Sequence, residues 1–253
     1  MQQQERILFV ILDAGELLLT AGAEVARVED TIRRMAGAYG FVRTDVLTIT
    51  ASMVVTAQTA DGEVFTQTRR ILRRETDMRR IEAVNALSRE VCRSPLPLEK
   101  LHDRVEAIRN MPDGTKWRVP AAYLLIAGSF AVFFGGSWRD GIAAMLCSMA
   151  LYGVGRVGAR INLQPIVLTV ISAAVMCLCA LVTVKAGLGQ GLDYIIIGNI
   201  MLLIPGIALV TSLRDMIVGD TISGLLGACE ALLRAIAIAG GCALVLMQLG
   251  GVV

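Results

Sequence analysis

Apolar positions along the chain follow two regimes. Up to about residue 115 they come in short, interrupted stretches with the spacing of ordinary secondary structure. Residues 7–19 are apolar on most faces but carry Asp13 and Glu16. At about 13 residues this stretch falls short of the roughly 20 needed to cross a bilayer, so it predicts a buried or interfacial helix ending at Gly22. Residues 24–39 place Val25, Val28, Ile32 and Met35 on one helical face and meet Gly40. Residues 46–57 are rich in Thr, Val and Ile and predict a strand. The Asp61-Gly62 turn and the residues after it predict a returning strand. A third helix is expected over 77–93, capped by Thr76 or Asp77. "SPLPLE" ends it, and a fourth runs to about Asn110. These elements make a small α+β domain over residues 1–115.

From residue 118 onward the apolar runs lengthen. Spans are expected near 119–137, 141–158, 161–184, 194–213 and 225–249, giving an all-α polytopic membrane domain of about five transmembrane helices over residues 116–253. "MPDGTKWRVP" (111–120) marks the boundary. Its Lys116, Trp117 and Arg118 have the composition of a cytoplasmic membrane interface.

Charge sharpens this division. Of the 24 Lys and Arg residues, 18 precede residue 119, as do 17 of the 22 Asp and Glu. The remainder of the chain is nearly free of charge, and overall 55% of residues are hydrophobic. A net charge of +2 gives no reason to expect nucleic acid as a partner. With five spans, Lys116, Arg118, Arg156, Arg160 and Arg214 fall on one side and Arg139 and Lys185 on the other. The first domain is therefore expected in the cytoplasm and the C-terminus outside. Five of the six cysteines (147, 177, 179, 229 and 242) lie in apolar runs, and the single His102 has no nearby thiol beyond Cys92. Neither a disulfide framework, a metal site nor a cofactor is expected.

The most unusual stretch is "LLIPGIALVTSLRDMIVGD" (202–220). Pro205 and Gly206 interrupt an apolar run, and Arg214, Asp215 and Asp220 follow. Backbone groups freed by a proline in lipid need protein or water partners, so broken helices mark cavities and substrate sites. Asn199, Pro205, Gly206, Arg214, Asp215, Asp220, Glu230 and Arg234 are the candidate pathway residues. Glu230 and Arg234 are four apart and could pair. The structural alternatives are a tolerated kink at Pro205, a helix end marked by Arg214 and Asp215, and snorkelling of Glu230 and Arg234 to the interface.

Two features of the first domain also invite chemistry. Glu24, Arg27 and Glu29, with Ser52 and Arg69, could form a polar site. First-turn acids favouring the helix dipole are the plainer reading. The basic run Arg69, Arg70, Arg73, Arg74, Arg79, Arg80 could bind anionic lipid or form a solvated face. No G-x-S-x-G elbow supports a hydrolase built on Ser52 and His102. No G-x-x-x-x-G-K-[ST] sequence offers ATP drive.

The stretches "GAEVARVEDTIRRMAGAYG" (22–40), the Ser52 strand with its Asp61-Gly62 hairpin before Arg69, and "PGIALVTSLRDMIVGDTISG" (205–224) carry a resemblance. Within the last, Pro205, Gly206, Asp215, Gly219 and Gly224 are the most specific. The chain resembles the threonine/serine exporter family in its short split form. The resemblance implies a cytoplasmic N-terminal domain followed by about five spans in the inner membrane. It also implies efflux of threonine, serine or small dicarboxylates. Full-length members carry a second group of spans, so a second small multi-span membrane protein is expected as partner, beside membrane lipid and a homo-oligomer. Proton or ion antiport would use Asp215, Asp220 or Glu230. Arg214 or Arg234 would meet a substrate carboxylate. The alternative is a membrane-anchored sensor or regulatory subunit in which the spans only anchor.

Overall fold

The computed structural model describes residues 3–72, 76–112 and 117–249. The chain divides into two compact units. One is Met1–Pro112 with Ile207–Ala228; the other is Asp113–Gly206 with Cys229–Val253.

In the first unit, α1 (Gln3–Thr20) is the central element. It packs against α2 (Val25–Ala38), α3 (Met78–Arg93), α4 (Leu98–Arg109) and a three-stranded sheet. This explains its apolar character on nearly every face. Leu8, Ile11, Leu12, Leu18 and Leu19 are fully buried, each stabilising the unit by about 1.5–3 kcal/mol. The sheet is antiparallel in the order β1-β2-β3, with β1 Phe41–Ile49, β2 Ser52–Thr59 and β3 Val64–Arg70. Residues 46–57 are therefore not one strand. Thr50 and Ala51 form a turn, and Ile49 faces Ser52 across it. The Asp61-Gly62 turn joins β2 to β3 as the sequence indicates. Met53, Val55 and Ala57 point into the core. Asp77 caps α3 by accepting from the backbone N–H groups of Arg79 and Arg80. Of the basic run, Arg73 and Arg74 lie outside the described residues. Arg79 and Arg80 donate to the carbonyls of Pro112 and Met111.

A buried ion pair ties α1 to β3. Arg69 Nε and Nη2 donate to Asp13 Oδ1 at 3.2 and 3.1 Å, and Arg109 approaches the same oxygen at 3.7 Å. The Arg69 guanidinium also lies over the Phe9 ring, 4.0 Å from its centre.

The remaining part of the first unit is α9 (Gly206–Val218) and the start of α10 (Thr221–Leu249). A left-handed Gly219 (φ 111°) turns the chain between them. Gly219 N–H donates to Met216 O and Asp220 N–H to Asp215 O, a Schellman closure that only glycine adopts without strain. α9 and α10 then cross closely. A Cβ on Gly224 would stand 2.6 Å from Ser212 O and 2.8 Å from Met216 N.

The second unit holds α5 (Arg118–Phe133), α6 (Trp138–Arg160), α7 (Pro165–Lys185), α8 (Leu192–Leu203) and the remainder of α10. Its core is made of small residues: Ala127, Ala131, Ala143, Ala144, Ala173 and Ala180 are fully buried. Small side chains let helix backbones approach where lipid is as apolar as the core, which is how membrane helices associate. Three helices, α6, α7 and α10, are long and apolar enough to cross a membrane. α8 with α9 qualifies as a fourth, broken span or a re-entrant loop, and α5 is shorter, at 16 residues.

Two outcomes test this packing. Arg69→Met strips Asp13 of its nearest cation, and losing one partner of a buried pair costs about 3 kcal/mol. Chemical denaturation of the purified protein should show that loss, and Asp13→Leu/Arg69→Met should recover most of it. Gly224→Ala should lower the thermal unfolding midpoint through an overpacking cost of about 1–3 kcal/mol. Gly240→Ala, where a Cβ meets nothing within 4 Å, should not lower it.

Candidate functional site

The break in the apolar run lies where the proline demands it. Ile204 leaves the helix with extended backbone (φ −64°, ψ 125°), and α8 stops at Leu203. Pro205 brings no N–H, and Gly206 N–H turns back to Ile204 O instead of continuing the helical ladder. Carbonyls at the end of α8 are thus left for other donors.

Polar groups flank the break. Upstream, Asn199 is 0% exposed. Its Nδ2 donates to Ile195 O at 2.9 Å and to Ala144 O of α6 at 3.2 Å. Its Oδ1 is buried with no hydrogen-bond partner among the described residues. An unsatisfied acceptor in such a place costs about 1–3 kcal/mol. Downstream, Asp215 is 4% exposed and Ser212 is buried with it on α9. Ser212 Oγ donates to Ala208 O. Asp220 is half-buried and its carbonyl accepts from Gly224 N–H at the start of α10.

The neighbours of Asp215 separate the other candidates. Arg214 Nη1 donates to Glu24 Oε1 at 2.8 Å, across 190 residues of sequence. Glu24 is the residue preceding α2, yet its side chain makes no capping bond and goes to Arg214 instead. Glu29 goes elsewhere: it accepts from Thr48 N–H at 3.0 Å and pairs with Arg33, tying α2 to β1. Arg27 is exposed and makes no ion pair among the described residues. Ser52 begins β2, and Arg69 belongs with Asp13. Five residues read together in sequence are therefore distributed over separate contacts. Glu230 and Arg234 share a stretch of α10 without forming an ion pair among the described residues, and Glu230 is exposed. Among the described residues no group of three His, Cys, Asp or Glu could hold a metal ion.

One polar centre escaped the sequence reading. Asp140, in the first turn of α6, is 2% exposed. It accepts from Ser137 N–H and Oγ–H at 2.8 and 2.7 Å. It also accepts from the N–H groups of Gln190 and Gly191 at 2.6 and 2.9 Å. It thereby closes a capping box and anchors the loop before α8. The Ser-x-x-Asp spacing of "SWRD" carries the first half of that signal.

Comparison with known proteins supplies the context. A family model for ThrE, the threonine/serine exporters, matches residues 10–249. A "Probable threonine/serine exporter" of Mycobacterium tuberculosis is 24% identical over 98% of this chain and 46% of its own length. A "Threonine/serine exporter" of Corynebacterium glutamicum is 23% identical over 83% of this chain and 44% of its own length. The chain spans about half the length of these two relatives. A "Probable succinate transporter subunit YjjP" of Escherichia coli is 22% identical over 88% of this chain and 87% of its own length. No solved structure gives a significant match. With apolar helices of crossing length and a family match over nearly all its residues, the chain belongs to the threonine/serine exporter family, a family of membrane transporters rather than enzymes.

Proposed function

We propose that this chain is a subunit of a secondary exporter in the inner membrane. Its cargo is a small polar metabolite, either an amino acid of the threonine/serine type or a small dicarboxylate such as succinate. The observation that carries the reading is the interruption at Ile204-Pro205 with Asn199 buried before it and Asp215 buried after it. Buried polar groups beside a broken apolar helix mark solute or ion pathways in membrane proteins. Asn199 Oδ1, buried without a hydrogen-bond partner among the described residues, is an acceptor that a polar solute could use. Relatives with exporter and transporter names support the same reading.

In this account the chain contributes about five spans and keeps its first domain in the cytoplasm. A second small multi-span protein completes the pathway, a reading supported by the Escherichia coli relative, which is named as a transporter subunit. Coupling to protons or another ion falls to Asp215, the buried carboxylate that follows the break in sequence. Arg214 and Arg234 are the cations available to a substrate carboxylate on this side of the sequence.

The test is transport by the reconstituted chain, with its membrane partner, under an imposed pH gradient. Asp215→Asn should reduce gradient-driven efflux of labelled threonine or succinate at least about tenfold, the size of a lost charge interaction worth about 1.4 kcal/mol. It should also remove the dependence on the gradient. Efflux and its pH dependence unchanged in Asp215→Asn, at equal protein in the membrane, would refute the coupling role.

A further inference from the structure

We propose that the groove between α6 and α7 holds an acyl chain of an anionic phospholipid, whose headgroup meets Arg160 and Arg156. The site rests on α6 and α7 crossing the membrane and not on what the protein exports. The groove is open and has a volume of about 400 Å³. Ala150, Val154, Val157 and Gly158 line it on α6 and Leu168 and Ile171 on α7, and none of its walls carries a polar side chain. Small residues make the room. At Gly158 a Cβ would collide with Leu168, so only glycine lets that leucine lie against the α6 backbone. Gly153 faces open space, with nothing within 4 Å of an added Cβ. Groove walls without partner atoms forgo dispersion contacts that a hydrocarbon chain supplies.

Charge and length identify the occupant. At one end α6 closes through a left-handed Asn162 (φ 52°), and Leu163 N–H donates to Gly158 O at 3.1 Å. This turn brings Leu163 onto the groove wall and leaves Arg160 two residues past Gly158. Arg160 is exposed and makes no ion pair among the described residues. Arg156, one turn earlier on the same side of the helix, donates to Tyr152 Oη at 3.0 Å and likewise makes no ion pair among the described residues. No Asp or Glu occurs from residue 141 to 192, so this end of the hairpin carries cations and no acid of its own. In the other direction the groove reaches Ala150 and Ile171. Arg160 and Ala150 are ten residues apart. That is about 15 Å of helix, half of a hydrocarbon core of about 30 Å. Cations at the helix end and an apolar groove one leaflet deep match a phospholipid with its headgroup at the interface and its chain reaching the midplane. A transmembrane helix of another protein would run the full thickness. A zwitterionic lipid fills the groove equally but brings no net negative charge, and each arginine near an anionic headgroup adds about fivefold to the attraction.

The experiment is a lipid titration of the purified full chain, read by native mass spectrometry. The probes are phosphatidylglycerol and phosphatidylcholine with the same palmitoyl and oleoyl chains. Wild type should bind one phosphatidylglycerol at least about fivefold more tightly than phosphatidylcholine. Arg160→Gln should lower phosphatidylglycerol affinity about fivefold and leave phosphatidylcholine unchanged. Arg160→Lys, which keeps the charge, should retain the preference and guards against misfolding of the neutral variant. Gly153→Leu, which fills the groove, should weaken phosphatidylglycerol with both arginines in place. Gly240→Leu, on α10 where an added Cβ also meets nothing within 4 Å, should not. Equal affinity of wild type for the two lipids overturns the site and gives the groove to unselective lipid chains or to another protein's helix. An unchanged preference in Arg160→Gln overturns it as well. So does a phosphatidylglycerol affinity that Gly153→Leu leaves unaltered. None of these readouts depends on transport, so failure of the exporter reading would leave the lipid site standing.

Discussion

A proline inside an apolar helix leaves carbonyls that a lipid chain cannot satisfy. At Pro205 the helical ladder ends, Gly206 turns back on Ile204, and two buried polar side chains, Asn199 and Asp215, stand on either side in sequence. Such groups persist in an apolar setting only where protein or water completes their hydrogen bonds. The proposed pathway follows from this constraint.

The second unit shows what surrounds that break in chemical terms. Its helices associate through alanines, and Gly198 lies so close to α5 that a Cβ there would stand 2.5 Å from Ala127 O. Asp140 fixes the loop entering α8 with four backbone and side-chain donors. The element carrying Asn199 is therefore held at its start by a carboxylate and along its length by close backbone approach. Held in this way, Asn199 keeps a buried oxygen without a partner among the described residues. In the first unit the equivalent anchoring is ionic, with Arg69 and Arg109 converging on Asp13.

Much of this was legible in the sequence where physics is local. The helices of the first unit, the Asp77 cap, the Asp61-Gly62 hairpin and the break at Pro205 all follow from propensity, capping and turn chemistry. The family followed from three stretches of residues. Local rules failed in identifiable places. Residues 46–57 look like one strand because Thr50 and Ala51 carry no glycine or proline, and only pairing of Ile49 with Ser52 reveals the turn. The burial of α1 was ambiguous because apolar character on all faces suits a core and an interface alike. Glu24, Arg27, Glu29, Ser52 and Arg69 looked like one group from sequence proximity and a shared domain. Their actual partners, Arg214, Thr48, Arg33 and Asp13, are set by tertiary packing that no spacing encodes. The Asp140 anchor was half visible: Ser137 sits at the right distance, but Gln190 and Gly191 arrive from fifty residues away.

The central claim is that the segment after the break faces a water-filled path rather than lipid. Thiol accessibility tests it most directly. Ser212→Cys and Leu178→Cys would be placed singly in a chain whose six native cysteines have been replaced, and membrane vesicles would be treated with a charged, membrane-impermeant thiol reagent. Ser212 is buried within α9 beside Asp215, whereas Leu178 is exposed on the apolar surface of α7. The account predicts that the cysteine at 212 reacts, that threonine or succinate slows the reaction, and that the cysteine at 178 stays inert. Equal inertness at both positions, or labelling at 212 that neither solute affects, would contradict it.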